Sequence, residues 1–392
     1  MQMNTLLYLC VLLFGGLLFG KLAKLVKLPN VTGYLVAGLL IGPSVLGIIP
    51  ADVLSGFDLI SEIALGFIAF SIGGEFKISY FKRVGMTPIV IAILEAMVAV
   101  VFVICGLLVA GYDLPFSLVL GSIAAATAPA ATIMVIKQYK AKGPVTETLM
   151  SVVALDDAVA LIAFGFAVTA AKTMTAQNDG SLILSILKPF GEILGAVALG
   201  AALGFFFMLP LRFFHSSGNR LILTVAMVFL TAGLADLLGL SALLCCMAMG
   251  AVFTNFSKLA PDMIKLCDNI TPPIFLLFFA VSGAELKLSA IPTIGVVGVI
   301  YILLRVVGKF TGAWAGAKLM KAPPKVAKYL GYTLFPQAGV AIGLTLVAQQ
   351  VVPDYADTIR AVVLCGTLIY ELVGPGIAKV ALQKAGEIQE GL

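Results

Sequence analysis

Asp156 and Asp157 stand side by side in the middle of an apolar run, Val145 to Lys172, that also carries Glu147. As a helix this run would be roughly 42 Å long, enough to cross a bilayer with some tilt. One aspartate at the centre of such a helix costs about 2.5 to 3.5 kcal/mol on insertion scales. Two adjacent ones call for a use, and the use that fits carboxylates is taking up and releasing a cation or a proton. The alternative is a pair fixed in salt bridges that join helices. Arg305 and Lys309 lie four apart in the apolar run 292–317, hence on one helix face. A buried cation needs a carboxylate, and the candidates are Glu95, Asp156, Asp157 and Glu371. Arginine keeps its charge, whereas a buried lysine can shed its proton. Arg305 therefore reads as structural, paired with Glu95, and Lys309 as mechanistic, with the reverse assignment open.

Two helix breaks accompany these charges. The run 114–136 contains Ala126-Thr127-Ala128-Pro129-Ala130-Ala131-Thr132, and the run 326–350 contains Phe335-Pro336-Gln337-Ala338-Gly339. Proline removes a backbone donor and displaces the carbonyl one turn back. The freed carbonyls, the Thr127 and Thr132 hydroxyls and the Gln337 amide are oxygen ligands for a hard cation. If the two breaks cross, four half-helix ends meet near mid-membrane, where their partial charges balance one another and nearby ions. Ordinary proline kinks relieved by packing are the plain alternative.

The elements that must hold these groups follow from composition. The chain is 61% hydrophobic and 11% charged, against about 25% charged in soluble domains. This predicts an all-α polytopic membrane protein of about 13 transmembrane helices, with 40 Gly and 18 Pro suited to close packing and interruption. Of the 25 Lys and Arg residues, only Lys172, Lys188, Lys287 and Arg360 fall in loops on one side of the membrane, Arg305 and Lys309 fall inside a span, and the other 19 lie on the opposite side. The positive-inside rule then places the N-terminus outside and the C-terminus inside the bacterial cytoplasmic membrane. Lys21, Lys24 and Lys27 follow the first apolar run instead of preceding it, as in a membrane helix and unlike a signal peptide.

Gly73-x-Glu75-x-Lys77-x-Ser79 recurs as Gly283-x-Glu285-x-Lys287-x-Ser289, an offset of 210 residues and an odd number of segments. An odd offset inverts the second copy, as in many secondary transporters whose site lies at the midplane between repeats. Buried ionisable groups and breaks fall in 87–172 and 292–382, predicted to form a mobile ion-transport core. The stretches 1–80 and 219–290 read as a scaffold suited to dimerisation, and 183–210 as a linker helix.

Several classes drop out. His215 is the only histidine, the six cysteines sit in or beside apolar segments, and no P-loop or dinucleotide fingerprint occurs. No nucleophile–base set supports an enzyme, and no cofactor or nucleic-acid partner is implied. A cation channel would need a continuous hydrophilic helix face. An organic-anion symporter would need a larger polar cavity.

Five stretches together resemble the cation/proton antiporter superfamily, in particular bacterial sodium/proton antiporters of the NapA and NhaA kind. They are VTGYLVAGLLIGPSVLG from Val31 to Gly47, the ATAPAAT break, LDDA from Leu155 to Ala158, Gly308-Lys309, and PQAGVAIGL from Pro336 to Leu344. The resemblance covers essentially the whole chain. It implies exchange of Na+, in some members Li+ or K+, for H+ by an elevator motion within a homodimer in the lipid bilayer. By it, Asp157 is the main ion-binding carboxylate and Asp156 the partner of Lys309, both serving Na+, with Thr127 the hydroxyl at the break. Paired aspartates resemble the electrogenic members, whereas Glu95 with Arg305 resembles the acid–base pair of the electroneutral branch. Potassium/proton relatives of the Kef type usually carry a nucleotide-binding domain, not seen in this sequence, so K+ is the alternative cargo.

Overall fold

Apolar runs free of breakers become long helices, and those with clustered Pro or Gly become interrupted ones. The computed structural model describes residues 4–25, 30–79, 82, 85–128, 132, 135–136, 139–175, 182–286, 288 and 291–388. Among the described residues the regular structure is helical, with no strand. The helices are α1 (Thr5–Leu25), α2 (Asn30–Ile41), α3 (Asp58–Glu75), α4 (Met86–Val109), α5 (Leu114–Ile123), α6 (Pro144–Thr175) and α7 (Leu182–Met208). They continue with α8 (Ser217–Leu237), α9 (Ala242–Phe256), α10 (Ala260–Ala284), α11 (Ile291–Leu319), α12 (Pro324–Tyr329), α13 (Gly339–Val351) and α14 (Ala356–Lys384). A 3-10 turn, Leu330–Thr333, extends α12. Eight of the helices are long and apolar enough to cross a membrane; α2, α5, α9 and α13 are apolar but shorter.

Local signals set the ends. Asp113 caps α5 by accepting from Phe116 N at 3.0 Å, with Pro115 at the start of the helix. Ser216 and Ser241 do the same for α8 and α9. Such caps satisfy amide groups that have no partner inside the first turn.

The 210-residue offset seen in four residues extends to the backbone. Shifted by 210, Met86–Val109 falls on 296–319, which ends where α11 ends. Leu114–Ile123 falls on 324–333, the bounds of α12 with its 3-10 turn. Pro144–Thr175 falls on 354–385, within two residues of α14 at each end. Left-handed backbone recurs as well, at Gly85 (φ 78°) with Gly295 (φ 38°), and at Gly111 (φ 88°) with Lys321 (φ 52°). Lys287 and Ser289 of the sequence repeat lie outside the described residues.

The chain folds as two compact units. In the first (Met1–Gly56, Val84–Phe164 and Phe279–Leu392), α4 and α11 pack closely because Gly308, Gly312 and Gly316 form a stripe on α11. A Cβ added at Gly308 would come within 2.5 Å of Ala99 Cα, and one at Gly312 within 2.6 Å of Glu95 Cα. Small residues let helix backbones approach where lipid offers no hydrophobic drive. In the second (Phe57–Arg83 and Gly165–Phe278), Gly73 abuts the backbone of Met247, and Gly200 that of Cys245, around stacked Phe207 and Phe253. Every charged side chain buried among the described residues belongs to the first unit: Glu95, Asp156, Arg305, Lys309, Glu371 and Glu387.

Candidate functional site

Helix α5 stops at Ile123, and residues 126–128 have no regular structure. Pro129, on which the expected break centres, lies outside the described residues. The last carbonyls of a helix lack intrahelical donors, and here side chains supply them. Gln337 Nε2 donates to Ile123 O at 3.0 Å, Arg305 Nε to Ala124 O at 3.1 Å, and Arg305 Nη2 to Ala126 O at 2.7 Å. Lys309 Nζ donates to Ala125 O between them.

The second interruption, residues 334–338 ahead of α13, meets the first. Ala128 N donates to Pro336 O at 2.8 Å, and Thr132 Oγ1 to Thr333 O at 3.0 Å. Arg305 spans the gap through Nη1 to Phe335 O at 2.8 Å, with its guanidinium 4.5 Å over the Tyr370 ring. Gln337 Nε2 also donates to the Tyr301 hydroxyl at 2.9 Å, so its amide is engaged within this junction. Gly339 opens α13, and an added Cβ there would make only an ordinary contact with Phe279.

The charges gather on one side of the junction. Lys309 Nζ is 2.7 Å from Glu95 Oε2 and 3.2 Å from Asp156 Oδ1, with all three side chains essentially inaccessible. Two carboxyls thus share one ammonium. Asp157, the next residue of α6, is only partly covered. Thr127 Oγ1 is buried beside Asp156 without a hydrogen bond of ordinary geometry. A hydroxyl next to carboxylates and backbone carbonyls is an oxygen environment suited to a hard cation such as Na+. Among the described residues no group of three His, Cys, Asp or Glu would hold a resident metal.

One expected pairing is replaced. Glu95 faces Lys309, while Arg305 faces carbonyls. The register of α4 on α11 explains this: the glycine stripe sets Glu95 level with Gly312 and Ala99 level with Gly308. Glu95 therefore lies nearer Lys309 than Arg305 along α11. Glu371 stands apart from the aspartates; Thr32 Oγ1 of α2 donates to its Oε2 at 3.5 Å, and neither buried cation pairs with it. Sequence reasoning missed Tyr301 and Glu387. Tyr301 was findable, since Tyr301, Arg305 and Lys309 recur every four residues on one face of α11. Glu387, which caps α6 from the far end of the chain, leaves no local signal.

Comparison with known proteins identifies the family and the fold. The family model for the transmembrane sodium/hydrogen exchanger matches residues 9–383. The Na+/H+ antiporter NhaS4 of Synechocystis sp. is 25% identical over 85% of this chain and 87% of its own. The ammonium/H+ antiporter subunit AmhT of Alkalihalophilus pseudofirmus is 26% identical over 92% of this chain and 90% of its own. In fold, the chain is similar to the sodium proton antiporter MjNhaP1 from Methanocaldococcus jannaschii at pH 8, with a TM-score of 0.78 and 22% identity over 97% of this chain and 98% of that one. With residues 9–383 matched by one family model, the chain belongs to the transmembrane sodium/hydrogen exchanger family.

Proposed function

We propose that the chain is a secondary antiporter that exchanges Na+ for H+ electrogenically, by an elevator-type alternation of access. The observation that carries this reading is Lys309 shared between Asp156 and Glu95, with Asp157 adjoining and the buried Thr127 hydroxyl beside Asp156. With both aspartates ionised, Na+ is bound by their oxygens and Thr127, and Lys309 yields Asp156 and sheds its proton. At the other face, protons displace Na+ and the Lys309–Asp156 pair closes again. Coupling follows because a charged, empty site crosses a low-dielectric barrier only at high cost.

The wider architecture belongs to the same proposal. Thirteen spans result if α2, α3, α5 with its continuation, α9 and α13 also cross the membrane. The interrupted segments then are two discontinuous helices that cross at the Ala128–Pro336 contact, related by an inverted repeat. Segments 87–172 and 292–382 form the moving core, and 1–80 with 219–290 the scaffold of a homodimer. The protein lies in the bacterial cytoplasmic membrane with its N-terminus outside and its C-terminus inside.

A second reading changes only the cargo, because one similar protein is named an ammonium/H+ antiporter subunit. Purified protein in liposomes containing a pH-sensitive dye separates the two. Na+ addition is expected to dissipate an imposed proton gradient, and Asp157→Asn to abolish that response. Wild-type exchange by Asp157→Asn discards the site assignment. Exchange with NH4+ or K+ but not Na+ or Li+ transfers the mechanism to the other cargo.

A further inference from the structure

A second feature of the first unit has no aspartate in its lining. It is a cleft of about 1010 Å3 between the end of α11, the start of α12 and the last turns of α14. Four lysines line it, Lys318, Lys321, Lys328 and Lys384, and no carboxylate does. Lysines at this density repel one another and gain from a bound anion. Lys318 Nζ sits 5.6 Å over the Trp314 ring and Lys328 Nζ 5.3 Å over Tyr329, so their ammonium groups lie against aromatic faces. Below them the wall is apolar, formed by Phe310, Trp314, Ile377 and Val380. Trp314 and Val380 are nearly half exposed, which carries that apolar wall out to the molecular surface.

A basic end joined to an outward-facing apolar wall, with Trp and Tyr between, matches an amphiphile lying along the helices at the level of the headgroups. We propose that this cleft binds an anionic phospholipid, its phosphate among the four lysines and an acyl chain along Phe310, Trp314 and Val380. Charge complementarity selects an anionic lipid over a zwitterionic one, and the apolar wall selects a lipid over free phosphate. The bound lipid would rest on α11 next to Lys309, since Phe310 lines the cleft. The assignment does not depend on which cation is exchanged.

Trp314 is the only tryptophan in the chain, so its fluorescence reports on this cleft alone. Full-length protein reconstituted in phosphatidylcholine is titrated with phosphatidylglycerol or phosphatidylcholine, each brominated on the acyl chains. Brominated phosphatidylglycerol is expected to quench at several-fold lower mole fraction. Lys318→Gln should erode that preference by about fivefold, the share of one lysine near a membrane surface. The variant with all four lysines changed to Gln should abolish it. Equal quenching of the wild type by both lipids overturns the site without recourse to any variant. Loss of the preference on adding inorganic phosphate overturns it too, reassigning the cleft to a soluble anion. An undiminished preference in a folded four-lysine variant places the lipid elsewhere.

Discussion

A guanidinium presents five donors in one rigid plane, and at Arg305 that plane is used to join two interrupted segments. Its nitrogens reach Ala124 O and Ala126 O on one side and Phe335 O on the other, with Pro336 O at 3.5 Å. A lysine keeps the charge but concentrates three donors at a single point. Arg305→Lys should therefore lose at least two charge-assisted hydrogen bonds and destabilise the fold by about 3 kcal/mol or more. Thermal unfolding of the purified protein in detergent measures it, and wild-type stability would show that the junction does not rely on this clamp. The buried charges themselves were legible as residue types, because ionisable groups deep in an apolar run are conspicuous. Their pairing was not. Sequence spacing shows that Arg305 and Lys309 share a face, but only the register of α4 against α11 decides which of them meets Glu95.

Helix α6 carries both aspartates, and its first turn is held from the other end of the chain. Glu387 accepts from Val145 N at 2.7 Å, Thr146 N at 2.8 Å and the Thr146 hydroxyl at 2.7 Å. Lys142 N donates to Glu387 O at 3.0 Å, and Lys325 Nζ to Ala385 O at 2.7 Å, so the segment after α14 is itself tied down. A carboxylate at a helix N-terminus satisfies amides that the helix cannot and complements its dipole. Glu387→Ala should cost about 1 to 2 kcal/mol, and amide hydrogen exchange at 145–147 should accelerate by about tenfold. Glu387→Gln, which still accepts but without charge, should fall between. Unchanged exchange in Glu387→Ala would mean that the α6 N-terminus needs no cap from the tail. This element-scale feature lies beyond sequence reading, since its partners are 242 residues apart and capping patterns work only over neighbours. The long apolar helices were legible because hydropathy marks them, and the offset of 210 was legible from four residues. Its extension to helix ends and to the left-handed positions at Gly111 and Lys321 needed the backbone.

At the scale of the whole molecule the proposed cycle has an electrical consequence. Two carboxyls, Glu95 and Asp156, share the single ammonium of Lys309, Asp157 is the next residue of α6, and Arg305 is committed to carbonyl dipoles. If Lys309 releases its proton as Na+ displaces it from Asp156, more protons than cations move per cycle and the exchange is electrogenic. A net charge crossing a potential of about 100 mV is worth about 2.3 kcal/mol, equivalent to about 50-fold in a concentration ratio. The Na+ gradient at which flux reverses in liposomes should therefore shift by about that factor when valinomycin and K+ impose such a potential. In Lys309→Gln the shift should shrink or vanish, since Glu95 and Asp156 then have no mobile proton between them. A wild-type reversal point indifferent to potential would make the exchange electroneutral and leave Lys309 as a fixed counter-charge. Glu95 would then serve to neutralise Lys309 permanently, and the proton would travel on the aspartates alone.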